Sequence, residues 1–413
     1  MVSSWRKAAP RLIYSNYARY AVPLFVDRGR RRVAIGATVV VAVIVILAAV
    51  AGFAYYAVTF TPQTGTTTST SGQLTDVTMG FAGVPDVTDT PGFMLWQTFA
   101  QQLGLRIHVQ YYDGDTTVAD AVVAGNVQIG EGGFQAVIAA DEAAGNSSGS
   151  YPFVVWGTYE ASQDFGLLVS NTIPAGCWSC LANQPIAISS PGSTSWIMCE
   201  LLLQTNGVTG SQANCASYHG TPSRYAALLA GKVVGDITEP FYMVDAVKSG
   251  KFHIMATVPQ VAPGLLFSSL YTTRAFAAAH PDIVLKVEEA TMLADRWAHN
   301  EAAWVAKEQE EFPGTNATEA GAAWKIWMAM NIWAPNGGLS EKSLNYSSYF
   351  FAGPLIKASS RLPYVLNPKY WTDLSVQQNA LTALGPYATC PVLTGCPDPS
   401  IPNLPVTIPG VSS

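Results

Sequence analysis

From Leu74 to Val258 the chain alternates short apolar runs with longer amphipathic stretches, the pattern of strands and helices packed in layers. LTDVTMGFA alternates apolar and polar positions as a strand does, GFMLWQTFAQQLG repeats its apolar residues at helical spacing up to Gly104, and LRIHVQYY returns to strand. TTVADAVVAGN, VQIGEGG and FQAVIAADEAAG add helix, strand and helix, and FVVWGTYE and FGLLVS extend the set as strands. A second set opens with PIAISSPG, passes through helix SWIMCELLLQTNG and strand ANCASYHG, and continues with helix SRYAALLAG, strand VVGDITE, helix PFYMVDAVKSG and strand FHIMATV. Two α/β lobes are predicted: residues 74–170 with 255–385 as the first, and 171–254 as the second. From Thr272 to about Gly385 the pattern is mostly helical, and Trp297, Trp304, Trp324, Trp327 and Trp333 recur at spacings that suit buried helix faces. Residues 386–413 form a proline-rich tail without a regular period.

Upstream the pattern is different in kind. Residues 33–60 run for 28 positions without a charged side chain, longer than the roughly 20 that a bilayer-spanning helix needs. The stretch is too long and too late for a cleavable signal peptide, so it reads as a single anchor helix. Arg28, Arg30, Arg31 and Arg32 flank its N-terminal end, which keeps the basic segment 1–32 cytoplasmic and places the main domain outside the cell membrane. Tyr55 and Tyr56 suit the outer interface. The Thr/Ser/Gly-rich segment 61–73 reads as a flexible tether.

Charge follows the same division. Residues 1–32 hold eight Lys/Arg against Asp27 alone, whereas residues 61–413 hold 14 basic against 27 acidic side chains. An acidic outer domain offers no electrostatic footprint for nucleic acid. All six cysteines, Cys177, Cys180, Cys199, Cys215, Cys390 and Cys396, lie after the anchor, where disulfides are expected. Six cysteines allow fifteen pairings; local closure alone favours Cys177 with Cys180, Cys199 with Cys215 and Cys390 with Cys396. A redox dithiol at Cys177 and Cys180 is the competing reading of that CxxC spacing, although it lacks the strand-to-helix setting that activates such a thiol.

In open α/β sheets ligands gather beyond the C-terminal strand ends, where helix N-termini present free N–H groups. The corresponding loops are 84–91, 131–134, 190–195 and 239–241. They nominate Pro85, Asp86 and Asp89; Glu131, Gly132 and Phe134; Ser190, Gly192, Ser193 and Thr194; and Glu239 and Phe241, with Asp164 as a further carboxylate. Ser193, Thr194 and Ser195 are equally good as helix caps. If two or more of the carboxylates face the cleft, a ligand with amines or a polar heterocycle is favoured over a simple anion. Phe134, Trp156, Tyr159, Phe241 and Tyr242 are candidates to stack on such a ring, each with core packing as the alternative. The chain carries no P-loop, HExxH, GxSxG or strand-linked GxGxxG, and its five histidines lack ligand spacing, so neither catalysis, a cofactor nor a metal is expected.

GFAGVPDVTDTPGFMLW, VVAGNVQIGEGGFQA, ISSPGSTSWIMCELLLQTNGV and AALLAGKVVGDITEPF, in this order and spacing, resemble the extracytoplasmic substrate-binding proteins of ABC importers, in the branch of nitrate, sulfonate, taurine and thiamine-precursor binders. The resemblance runs from about Leu74 to Gly385. It implies a periplasmic-binding-protein type II fold, two lobes joined by two crossovers, with a small solute held between them for delivery to an ABC permease and its ATPase. Two features depart from the family: the helix anchor replaces a lipid-bearing cysteine, and the sequence identifies no counterpart of the anion-specific residues. Thiamine-pyrimidine synthases share the fold, but their cysteine-rich run is absent. A sensory or partner-binding ectodomain of the same fold is the alternative function.

Overall fold

The computed structural model describes residues 73–387 apart from 84, 86, 144–151 and 356–366. The apolar stretch 33–60, the linker, the tail, Asp86, Cys390 and Cys396 lie outside the described residues. Among the described residues no helix is long and apolar enough to cross a membrane.

Among the described residues ten strands form two five-stranded sheets of the same plan. In the first sheet β1 (Thr75–Ala82), β2 (Leu105–Tyr112), β3 (Ile129–Gly133), β4 (Phe153–Gly157) and β10 (Ser268–Thr273) stand in the order β2-β1-β3-β10-β4. β5 (Gly166–Ser170), β6 (Pro185–Ile188), β7 (Asn214–Ser217), β8 (Gly235–Thr238) and β9 (Phe252–Thr257) form the second, in the order β7-β6-β8-β5-β9. Within each sheet the one antiparallel strand is the first to arrive from the other lobe: β10 runs against β3 and β4, and β5 against β8 and β9. Residue pattern follows position. Edge strand β2 buries Leu105 and Ile107 while Arg106 and His108 face solvent beside Asp76, whereas β3 and β4 are buried at every position.

Helices cover the sheets as the sequence pattern predicts: α1 (residues 90–102), α2 (Asp115–Val123), α3 (Phe134–Ala143), α4 (Thr194–Thr205), α5 (Thr221–Leu229) and α6 (Pro240–Lys248) follow their strands. α1 carries a π-helical turn over Leu95–Phe99. Beyond β10 the chain is helical, with α7 (Pro281–Ala298), α8 (Glu301–Glu311), α9 (Ala317–Met330), α10 (Glu341–Leu355) and α11 (Leu374–Leu384). α7 closes the outer face of the first sheet through Ile283, Val284, Val287, Ala290 and Ala294. Trp304, Trp327 and Trp333 pack on one another with ring centroids 5.4–5.9 Å apart, and Trp297 and Trp324 are partly buried against that cluster.

Two expectations need correction. FGLLVS was assigned by pattern to the first lobe, yet β5 belongs to the second sheet, and β9 extends to Thr257; the crossovers are therefore residues 158–165 and 258–267, not boundaries at 170 and 254. The run SSLYTT, which carries no clean alternation and overlaps the start of the helical region read from Thr272, is the buried strand β10. Disulfides join Cys177 to Cys180 and Cys199 to Cys215, the second tying α4 to β7. Closing a loop of this length restricts the unfolded chain by about 3 kcal/mol in the chain-entropy account. The double variant Cys199→Ala/Cys215→Ala is expected to lose about that much stability, checked by urea unfolding followed through tryptophan fluorescence; an unchanged midpoint would contradict it.

Candidate functional site

The crossovers run side by side between the sheets. Gln163 N donates to Leu265 O at 2.9 Å and Ser268 N to Glu160 O at 3.1 Å, while Ser268 Oγ accepts from the backbone N–H groups of Tyr159 and Glu160. These bonds satisfy buried backbone away from either sheet and fix the residues of 159–165 at the seam. A cavity of about 110 Å³ lies there, walled by strand-end loops of both lobes and by the crossovers.

From the first lobe come Gly83 after β1, Asp89 before α1, Asp113 to Asp115 after β2, and Glu131 to Gly133 at the end of β3. The second lobe supplies Ser189, Ser193 to Ser195, Gly220, Thr221, Arg224 and Glu239, and the crossovers add Tyr159, Glu160, Asp164, Phe165 and Phe267. Of the residues nominated from sequence, Asp89, Glu131, Gly132, Asp164, Ser193, Thr194 and Glu239 thus meet at one cavity. The others do not. Phe134 is fully buried under α3 against Phe351 and Trp371, because β3 runs directly into that helix. Phe241 packs edge-on to Tyr242 and Trp156 is core. Pro85, Ser190 and Gly192 stand off the lining, Gly192 supplying a turn at φ +86°.

The lobes touch through Asp115. Its Oδ2 accepts from Thr194 N at 3.3 Å, Thr194 Oγ1 at 3.1 Å and Gln135 Nε2 at 2.9 Å, and its Oδ1 from Gly133 N at 2.7 Å. One carboxylate at the start of α2 thereby holds the first turn of α4 from the opposite lobe. Gln135 Nε2 also donates to Thr194 Oγ1. Gly133 is required there, since a Cβ would collide with both Gln135 and Thr194. Ser193 accepts from Trp196 N at 3.3 Å, so the cap reading and the cavity position both hold for it.

Arg224, 2% exposed, is consumed by its own lobe. Its Nε donates to Ile237 O and lies 3.4 Å from Asp236, and its NH2 group meets Thr221 Oγ1 at 2.9 Å and Glu239 at 3.3 Å. Asp164 accepts from Trp327 Nε1 at 2.8 Å, which joins the cavity to the tryptophan cluster. Burial, helped by the charge of Asp115, pushes Glu131 up to about 8. Burial and then the charges of Asp164, Glu131, Asp89 and Glu239 raise Glu160 well above the carboxylate range. Sequence reasoning named Tyr159 as a stacking candidate but missed Asp113, Asp115, Glu160 and Thr221. Asp113 and Asp115 follow strand β2, so the rule that found the other loops also covers them; Glu160 was hidden at the end of FVVWGTYE, read as a strand that the structure ends at Gly157. Among the described residues no three His, Cys, Asp or Glu side chains are grouped to hold a metal ion.

Carboxyls that keep their protons when folded make stability depend on pH. Below about pH 4.5 they are protonated in both states; up to about 8 the unfolded chain releases protons that folded Glu131 and Glu288, each raised by burial to about 8, retain. Glu160 and Asp295 act in the same direction. Stability is therefore expected to fall from pH 5 to pH 8, by about 1.4 kcal/mol per pH unit for each such carboxyl. Urea midpoints at the two pH values check this, and a midpoint that rises with pH would contradict it.

No protein-family model and no curated protein matches the chain. Among solved structures, a protein of Bordetella bronchiseptica RB50 is similar with a TM-score of 0.65 at 17% identity, over 76% of this chain and 99% of the other. The periplasmic nitrate-binding protein NrtA of Synechocystis PCC 6803 is similar with a TM-score of 0.60 at 12% identity, over 78% and 92%. The alkanesulfonate-binding protein SsuA of Xanthomonas axonopodis pv. citri, bound to MOPS, gives 0.58 at 15%, over 73% and 100%. The second and third of these neighbours are described as binding proteins, and at these identities the likeness shows the fold alone: mixed α/β with two sheets.

Proposed function

We propose that the chain is an extracytoplasmic substrate-binding protein that captures a small solute between its lobes and delivers it to an ABC permease and its ATPase. The observation that carries this reading is the cavity at the seam, lined by strand-end loops of both lobes and by the crossovers. Such a site is completed only when the lobes meet, and two paired crossovers are the joints about which they part. The Asp115 to Thr194 contact bridges the lobes beside the cavity. Solute and hydrogen bonds would then favour the same closed arrangement, so binding and closure are one equilibrium.

In this reading the apolar stretch 33–60 anchors the protein as a single-pass helix, with residues 1–32 in the cytoplasm and the two lobes outside. The tether 61–73 lets the lobes reach a transporter in the same membrane. No chemistry is assigned to the cavity: its groups are those of recognition, and the reaction class is capture and release.

The test is a melting-temperature screen of the full chain in detergent micelles against solute classes including sulfonates, nitrate, amino acids, amines, pyrimidines and vitamins. A solute at one hundred times its dissociation constant is expected to stabilise the fold by about 2.7 kcal/mol. A folded protein that responds to no class would contradict solute capture and favour the partner-binding alternative.

A further inference from the structure

The cavity is strongly one-signed. Among the described residues seven carboxyl side chains line it and Arg224 is the one lysine or arginine in the lining. Arg224 is spent on Asp236 and Glu239, Asp115 on the contact between lobes, and Asp164 receives the indole N–H of Trp327. Glu160 is different. Only 6% exposed, it lines the cavity, yet its carboxyl group has no hydrogen-bond or ion-pair partner among the described residues. The groups that face it electrostatically are Asp164, Glu131, Asp89 and Glu239, all acidic. A buried carboxyl surrounded by its own kind is costly unless something else completes it.

What could complete it is limited by its neighbours. The rings of Tyr159, Phe165 and Phe267 line the same space, the two phenylalanines edge to face at 5.1 Å. Aromatic faces beside carboxylates suit an organic cation, whose charge meets the oxygens and whose carbon frame meets the rings. A bare metal ion suits them poorly, because the carboxylates are not grouped at metal-ligand spacing among the described residues. Simple anions are disfavoured by a lining in which carboxyl groups outnumber the one guanidinium, itself engaged by Asp236 and Glu239.

We propose that the solute is a small organic cation, an amine, amidine or guanidine, held by Glu160 with Glu131 and Asp89 about it and seated against Tyr159, Phe165 and Phe267. This rests on the solute-capture reading. The cation favours the ionised carboxyl, so binding releases protons and tightens as pH rises. A neutral acceptor, in contrast, would bind the protonated carboxyls and tighten as pH falls. Glu160→Gln keeps the shape and removes the ionisable group: it weakens the cation and relieves the unliganded protein of the cost of holding a buried carboxyl protonated above its unfolded titration range. That combination separates a binding residue from a structural one, whose loss lowers stability.

The experiment measures melting temperature and affinity of the full chain in detergent micelles at pH 6 and pH 8. The probes are agmatine, putrescine, choline and benzamidine as cations, nitrate and methanesulfonate as anions, thymine as a neutral heterocycle, and calcium and zinc chloride as metals. At least one organic cation is expected to stabilise the protein and to bind about tenfold or more tighter at pH 8 than at pH 6. Glu160→Gln is expected to weaken it about 30-fold or more, and at pH 8 to melt higher than wild type without added solute. Glu131→Gln, a second variant, is expected to weaken the same cation. Response only to an anion, thymine or a metal overturns the cation assignment and leaves solute capture standing. Cation affinity unchanged in both variants overturns the site. Silence to all probe classes overturns both this inference and the solute-capture reading.

Discussion

The structure turns on carboxylates gathered, out of water, at the seam between two sheets. Each buried acid has to be satisfied by a hydrogen bond, an ion pair or a proton. Asp115 uses the first of these and draws donors from both lobes. Asp236 and Glu239 use the second, through Arg224. Glu131 keeps a hydrogen bond to Ser268 that burial and the charge of Asp115 outweigh, and Glu160 is left to the third, raised by burial and like charge. The same scarcity of charge compensation that makes the seam expensive also makes it selective.

The repeated sheet plan is what brings these groups together. Because β5 and β10 each cross from the opposite lobe and insert antiparallel, the two crossovers lie beside one another and carry Tyr159, Glu160, Asp164, Phe165 and Phe267 into the space between strand-end loops. The crossovers are stitched by Ser268 and Gln163 rather than by sheet hydrogen bonds. Rigid lobes joined by a short paired connection are suited to hinge motion. The tryptophan cluster of the helical extension buttresses this connection through Asp164.

Much of this was legible in the sequence, for reasons that residues make plain. Period-two and period-3.6 patterns located nine of the ten strands among the described residues, since all but the edge strand β7 bury apolar positions. β10 escaped because its register, Ser268 opposite Gly133, is set by a strand far away in the chain, and its own residues are mixed. The lobe boundary was displaced because an inserted antiparallel strand reads like any other buried strand. At the site, loops following strands were found by rule, whereas Glu160 was read as the end of the strand FVVWGTYE, which the structure ends at Gly157, leaving Glu160 in the crossover. Phe134 was drawn into the core because its helix starts without an intervening loop. Pairing of Cys177 with Cys180 and Cys199 with Cys215 follows local closure.

If the seam is a recognition site defined by uncompensated acids, the protonation of those acids must respond to occupancy. Carbon-13 carboxyl NMR on the full chain, with glutamate labelled and Glu160 and Glu131 assigned by their Gln variants, reads this directly. In the protein without added solute the two are predicted to titrate far above the exposed glutamates, and to shift down on binding of a cation. Titration of both together with the exposed glutamates near pH 4.5, unmoved by any solute, would contradict the account.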